Sequence, residues 1–203
     1  MHKARALRAL HTIGRYDEAV FRLSATNDPF RPPPDPGADS DLQPNARGAR
    51  WLRRHIAGGV VAVTTVHGEL YRATTVTACF VASNEPFQIL VSIERDSQME
   101  DWMLASGVFA ISVLPWHQQF LADQFAGFTP RASGRFDRIA HFVVETGAPI
   151  VDDCIGWADC RIVSNFETGD HRCFLGDVTA VGPGHGVPEE PLVYYLNRYR
   201  RLG

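Results

Sequence analysis

The residue types that carry chemistry are present in this chain, but few of them fall at the spacing of a catalytic or ligating set. Cys79, Cys154, Cys160 and Cys173 contain no C-x-x-C pair and are too few and too irregularly placed for a disulfide framework in 203 residues. Cys79 and Cys160 lie in apolar, strand-like runs, where a free cysteine packs as a small hydrophobe. His55, His117 and His141 have no spacing that points to a metal, so they are read as structural and no metal site is expected. Gly182-Pro183-Gly184-His185-Gly186 lacks both the Lys-Ser/Thr ending and the strand-to-helix context of a phosphate loop, and is read as an ordinary loop. Two features are left. Thr74, Thr75 and Thr77 place hydroxyls and backbone amides on one strand-like segment, where they could hydrogen-bond a ligand, although threonine favours strands for its own reasons. His171 follows the turn Glu167-Thr168-Gly169-Asp170, as either a solvated residue at a hairpin tip or a ligand contact.

Composition limits what can hold these residues. At 203 residues, 45% of them apolar, the chain suits one domain with a substantial core and an appended segment. No run approaches the roughly eighteen uncharged apolar residues that a membrane-spanning helix requires. The net charge of -3, with arginines scattered among acids, leaves no electrostatic footprint for nucleic acid. Residues 1–10 are basic but lack the apolar core and cleavage site of a secretory signal. The expectation is a soluble, cytoplasmic protein with neither nucleic acid nor membrane as a partner.

The elements follow from periodicity. Residues 4–11 and 17–23 are expected as short helices, after which Pro29, Pro32, Pro33, Pro34 and Pro36 forbid regular structure, so residues 1–46 are read as a proline-rich arm. Residues 47–203 form the domain. Asn45 is expected to cap a short helix presenting Trp51, Leu52 and Ile56 on one side and ended by Gly58-Gly59. Strands are expected over 60–66, 71–81, 87–93, 108–114, 155–166 and 173–181, with helices over 99–105 and 118–125, the latter with Phe120, Leu121 and Phe125 sharing a face. Six or so strands with two or three short helices argue for a mainly-β barrel rather than a βαβ sheet.

In order and spacing these segments resemble the flavin reductases of the FMN-binding split-barrel type. Gly59-Val60-Val61-Ala62-Val63-Thr64-Thr65 is similar to that family's Gly-Val-x-Val-Val-Thr-Thr, and Ala105-Ser106-Gly107-Val108-Phe109-Ala110-Ile111-Ser112-Val113-Leu114 to its Ala-Ser-Gly-x-Phe-Ala-Val-Asn-Val-Leu. Leu121-Ala122-Asp123-Gln124-Phe125-Ala126, Gly147-Ala148-Pro149-Ile150, Asp159-Cys160, Gly169-Asp170-His171 and Gly176-Asp177-Val178 continue the likeness to the closing Arg198-Tyr199-Arg200. It covers Trp51 to the C-terminus.

The resemblance implies a Greek-key split β-barrel, usually a homodimer, that reduces FMN or FAD with NADH or NADPH and can supply the reduced flavin to a partner monooxygenase. It places Thr74, Thr75, Val76 and Thr77 on the flavin-contacting strand, Ser92, Ile93, Glu94, Arg95 and Ser97 on the flavin's second wall, Phe125 and Tyr199 among the cofactor contacts, and His171 against the nicotinamide or the reduced flavin. Glu94, Asp96 and Met99 depart from the Asn, Ser and Thr of the relatives: two carboxylates would repel a phosphate, and Met99 donates no hydrogen bond. Arg95 and the amides opening the following helix would offset that repulsion. Two further readings follow from the departure: a family member that uses bound flavin, or another ligand, for different chemistry, and a non-enzymatic flavin-binding protein.

Overall fold

The computed structural model describes residues 42–128, 136, 139–185 and 190–202. The chain divides into two compact units, Met1–Arg47 and Gly48–Gly203. The helices expected over 4–11 and 17–23 and the proline-rich stretch lie outside the described residues.

Helix α1, Ala46–His55, starts where Asn45 Oδ1 accepts a hydrogen bond from the Arg47 amide at 2.9 Å, as the capping residue requires. None of its residues is buried, and Leu52 and the following Ile56 are exposed rather than packed. Gly58–Gly59 does not simply end this helix. The pair forms β1, antiparallel to β11, Val193–Tyr195.

Strand β2, Val61–His67, is buried through its first five residues because it has a core on each face. Alternation sends Val61 and Val63 to a cluster with Val91, Phe109 and Phe174, and Ala62 to a second cluster with Ala73, Leu114 and Phe125. The strand expected over 71–81 is two strands. Strand β3, Leu70–Val76, pairs with β2, and β4, Cys79–Asn84, pairs with β5, Phe87–Glu94, on the far side of the sheet. Only Thr77 and Ala78 separate them. The seven-stranded sheet runs β3-β2-β6-β9-β10-β5-β4, with β6 at Val108–Val113, β9 at Gly156–Thr168 and β10 at His171–Pro183, so its two edge strands are consecutive in sequence. The sheet must therefore curl until its edges meet at the Thr77-Ala78 corner, which is pinned by a 3.0 Å bond from the Ser92 amide to the Ala78 carbonyl. The edges meet without pairing to each other, which gives a split barrel.

Helix α2, Gln98–Ser106, covers the helix expected over 99–105; it is capped by Ser97 and closed by Gly107 in the left-handed conformation at φ 69°. It leads into the almost wholly buried β6, Val108–Val113. A 3₁₀ turn, Trp116–Gln118, then runs into α3, Gln119–Phe125, which buries Ala122 and Phe125 and leaves Phe120 71% exposed, so Phe120 does not share the packed face. Strands β9, Gly156–Thr168, and β10, His171–Pro183, form a long hairpin whose turn is only Gly169-Asp170, two residues rather than the four expected. Five further strands are only two or three residues long: β1, β7 (His141–Phe142), β8 (Ile150–Val151), β11 and β12 (Arg198–Arg200). Such lengths carry no readable periodicity. The last two are joined by Leu196 and Asn197, both at positive φ, as a two-residue hairpin requires.

Candidate active site

Where the β3–β4 corner meets the loop after β5, the surface opens into a cavity of about 470 Å³. Thr74, Thr75, Val76, Thr77, Ser92, Ile93, Glu94 and Ser97 line it, with His171 at the same cavity. A neighbouring cavity of about 320 Å³ is lined by Thr75, Val76 and Thr77 again, together with Tyr194, Asn197 and Tyr199. Arg53, Ala126 and Phe128 also belong to both, so the two are lobes of one cleft.

The sheet explains why β3 forms the cleft wall. It pairs only with β2, so backbone N–H and C=O groups along its other edge have no strand partner and can meet a ligand. The hydroxyl of Thr75 is already used, donating to the Ala122 carbonyl at 3.1 Å and tying β3 to α3. What Thr75 can still offer a ligand is its main chain and the acceptor lone pairs of that hydroxyl. Behind the wall, β1 passes so close that a methyl group on Gly58 would come within 2.9 Å of the Thr77 Cβ.

The opposite wall starts from β5 and β10. His171 is the first residue of β10, in register between Glu94 and Thr168. Its turn is braced: the Arg95 amide donates to the Asp170 carbonyl at 3.0 Å, and Arg95 Nη1 donates to the Gly169 carbonyl at 3.2 Å while pairing with Glu167 at 3.1 Å. A carboxylate only accepts, so the 2.8 Å contact between His171 Nδ1 and Asp170 Oδ1 is an N–H donated by the ring. That bond and the His171 charge hold the Asp170 carboxyl below its ordinary value, with a lesser contribution from Arg53.

The loop between β5 and α2 spends its polar groups on itself. The Asp96 amide donates to Glu100 Oε2 at 2.7 Å, and the Glu100 amide donates to Ser97 Oγ at 3.2 Å, which in turn donates to the Glu94 carbonyl at 2.7 Å. Glu100, only 5% exposed, also accepts from Arg172 Nε at 2.7 Å. Burial raises its carboxyl, but the Arg172 hydrogen bond and charge and the Asp96 amide outweigh this and hold it below its ordinary value. Arg172 reaches on to Asn165 Oδ1 at 2.7 Å and Glu167 Oε1 at 2.6 Å, locking α2 to the β9–β10 hairpin.

Several expected ligand contacts lie elsewhere. Arg95 lines neither lobe, since its guanidinium is turned to the Gly169-Asp170 turn. Phe125 is buried at 4% exposure and stacked on Phe136 at 5.4 Å between ring centroids, so it belongs to the core, and its neighbour Ala126 reaches the cleft instead. Of the two carboxylates expected near a phosphate, Glu94 lines the larger lobe and Asp96 does not. Tyr199 is at the smaller lobe and His171 at the larger, so the two do not share one. The Tyr199 hydroxyl donates to Asp123 Oδ1 at 2.6 Å, and burial together with that carboxylate pushes its phenol up. Sequence reasoning missed Arg53, Arg54, Ile56 and Phe128. Arg53 and Ile56 are three residues apart at the end of α1, but nothing in the sequence says that this turn comes to lie beside β3.

Residues 52–203 match the family model described as the flavin reductase like domain. The chain is 33% identical over 147 residues to an FMN reductase (NADH), RutF, of Agrobacterium fabrum, covering 71% of this chain and 82% of that one. It is 31% identical over 166 residues to an NADPH-flavin oxidoreductase of Streptomyces viridifaciens, covering 80% of this chain and 84% of the relative. Among solved structures it resembles BorF, the flavin reductase component of a bacterial two-component tryptophan halogenase, with a TM-score of 0.69 and 31% identity, over 78% of this chain and 98% of that one. With its split barrel, its edge-strand cleft and this match over three quarters of its length, the chain belongs to the flavin reductase-like family.

Proposed function

We infer that this chain is an NAD(P)H:flavin oxidoreductase, with residues 47–203 as its catalytic unit, passing a hydride from NADH or NADPH to FMN or FAD. The observation that carries this reading is the two-lobed cleft, in which the Thr75–Thr77 wall is common to both lobes. Hydride transfer asks the protein to hold two ring systems against each other and needs neither a nucleophile nor a metal. The residues fit a flavin: unpaired main chain on β3 suits the polar edge of the ring system, Ile93, Met99 and Phe128 give apolar surface, and Arg53 supplies positive charge. A bound flavin supplies the redox chemistry as hydride acceptor. The chain orients it with β3 and covers it with the braced His171 turn.

Steady-state oxidation of each nicotinamide with each flavin tests the reading, and no oxidation in any of the four combinations would overturn it. One observation favours the alternative of a family member with different chemistry, namely Glu94 in the larger lobe. Under that alternative the purified protein is yellow but is not bleached by NADH. Similarity to the reductase component of a monooxygenase supports delivery of reduced flavin to a separate monooxygenase. A nicotinamide co-substrate is supplied inside the cell, which supports a cytoplasmic location. Among the described residues no helix is long and apolar enough to cross a membrane. Exposed Phe80 and Val81 on β4, Phe166 on β9 and Val181 on β10 support a homodimer that covers this apolar surface.

A further inference from the structure

A nucleotide flavin brings a phosphate into the cleft, and the loop after β5 is poorly equipped to receive it. Glu94 contributes a carboxylate to the larger lobe, the Met99 side chain has no hydrogen to donate, and the amides of Asp96 and Glu100 are bonded within the protein. Arg95, the loop's own cation, is turned to Gly169 and Glu167. Among the described residues lining this lobe, the one permanent cation is Arg53 of α1. Its guanidinium forms no hydrogen bond or salt bridge with another described residue, yet it is near enough to the far wall to act on the Asp170 carboxyl. It also lines the smaller lobe, so it stands where the two meet.

We propose that Arg53 binds the phosphate of the flavin nucleotide, supplying from α1 the positive charge that the β5–α2 loop does not. This rests on the flavin-reductase reading. A guanidinium presents paired N–H donors that match phosphate oxygens, which a lone ammonium or main-chain amide does not. The assignment makes α1 part of the ligand site although it buries none of its residues in the core.

The test compares two flavins that differ only in the phosphate. Dissociation constants for FMN and riboflavin are measured by equilibrium fluorescence titration, without nicotinamide, on the full chain and on Arg53→Gln, Arg53→Lys and Arg50→Gln. Arg50 lies on the same helix and lines neither lobe, so its variant removes the same charge away from the cleft. Arg53→Gln is expected to weaken FMN by about tenfold at low salt while riboflavin changes by less than about twofold. Arg53→Lys recovers part of the loss, Arg50→Gln keeps the FMN to riboflavin ratio, and the Arg53 effect shrinks as salt rises to about 0.5 M. Equal weakening of both flavins by Arg53→Gln would show a contact to the ring or a local structural role and overturn the proposal. An unchanged FMN constant, with a raised Michaelis constant for NADH, would assign Arg53 to the nicotinamide pyrophosphate instead. If the unaltered chain binds neither flavin, the flavin reading itself fails and the proposal with it.

Discussion

Among single residues, His171 and Glu100 bear on the cleft in different ways. His171 meets the larger lobe directly, with its ring oriented by the bond from Nδ1 to Asp170. Treated as a nicotinamide contact, its replacement should separate the two ligands. His171→Ala is expected to raise the Michaelis constant for NADH or lower turnover by about tenfold, near 1.4 kcal/mol, while the flavin dissociation constant stays within a factor of about three. Single-turnover kinetics and flavin titration on the same preparation check it, and loss of flavin binding with unchanged nicotinamide kinetics would reverse the assignment. Glu100 touches no part of the cleft and instead fixes the loop that does. Glu100→Ala removes its bonds to the Asp96 amide and to Arg172, at an expected cost of about 2 kcal/mol in urea unfolding at neutral pH. Its carboxyl is held below the ordinary 4.5, so the contribution is full above that value and is lost as pH falls through the lowered folded value. The gap between the two proteins should therefore narrow at acid pH, and a gap that widens there would contradict the assignment.

At the level of elements, close approach of β1 to the corner between β3 and β4 sets the shape of the cleft wall. A methyl group on Gly58 would meet the Thr77 Cβ at 2.9 Å and the Thr77 carbonyl oxygen at 3.4 Å, so the wall must move to admit it. Gly58→Ala is expected to weaken flavin binding several-fold with little loss of thermal stability, as shown by titration alongside calorimetry, since Gly58 is not a core residue. Gly176 offers the opposite case. A methyl group there would lie 2.6 Å from Phe109 Cε1 and 2.9 Å from the Cys160 Cβ, inside the barrel core. Gly176→Ala should destabilise the protein by about 1–3 kcal/mol by overpacking, and Phe109→Leu in the same chain should recover part of that. A fully additive double-mutant cycle would show that the two side chains do not compete for the space.

The whole molecule adds the question of assembly. Strands β4, β9 and β10 leave Phe80, Val81, Phe166 and Val181 exposed, more apolar surface than a monomer gains from presenting. Sedimentation at micromolar concentration is expected to show a dimer, and Phe80→Asp should shift it toward monomer; a monomeric unaltered chain would contradict the assignment. Sequence by itself determined the elements with long, strongly patterned runs: the β-branched β2, the helix α2 ended at Gly107, the buried β6 and the β9–β10 hairpin. It also picked out most of the β3 and β5 wall residues, because local polarity and spacing are properties of adjacent residues. Only the tertiary structure divided 71–81 into two edge strands, since a turn at Thr77-Ala78 is dictated by closure of a seven-stranded sheet and not by breaker residues. Only it sent Phe125 into the core and Arg95 to the turn, and carried Arg53 from a helix with no buried face to the junction of the lobes. Those placements depend on which distant segments meet, and a one-dimensional pattern holds no signal for contacts between residues far apart in the chain.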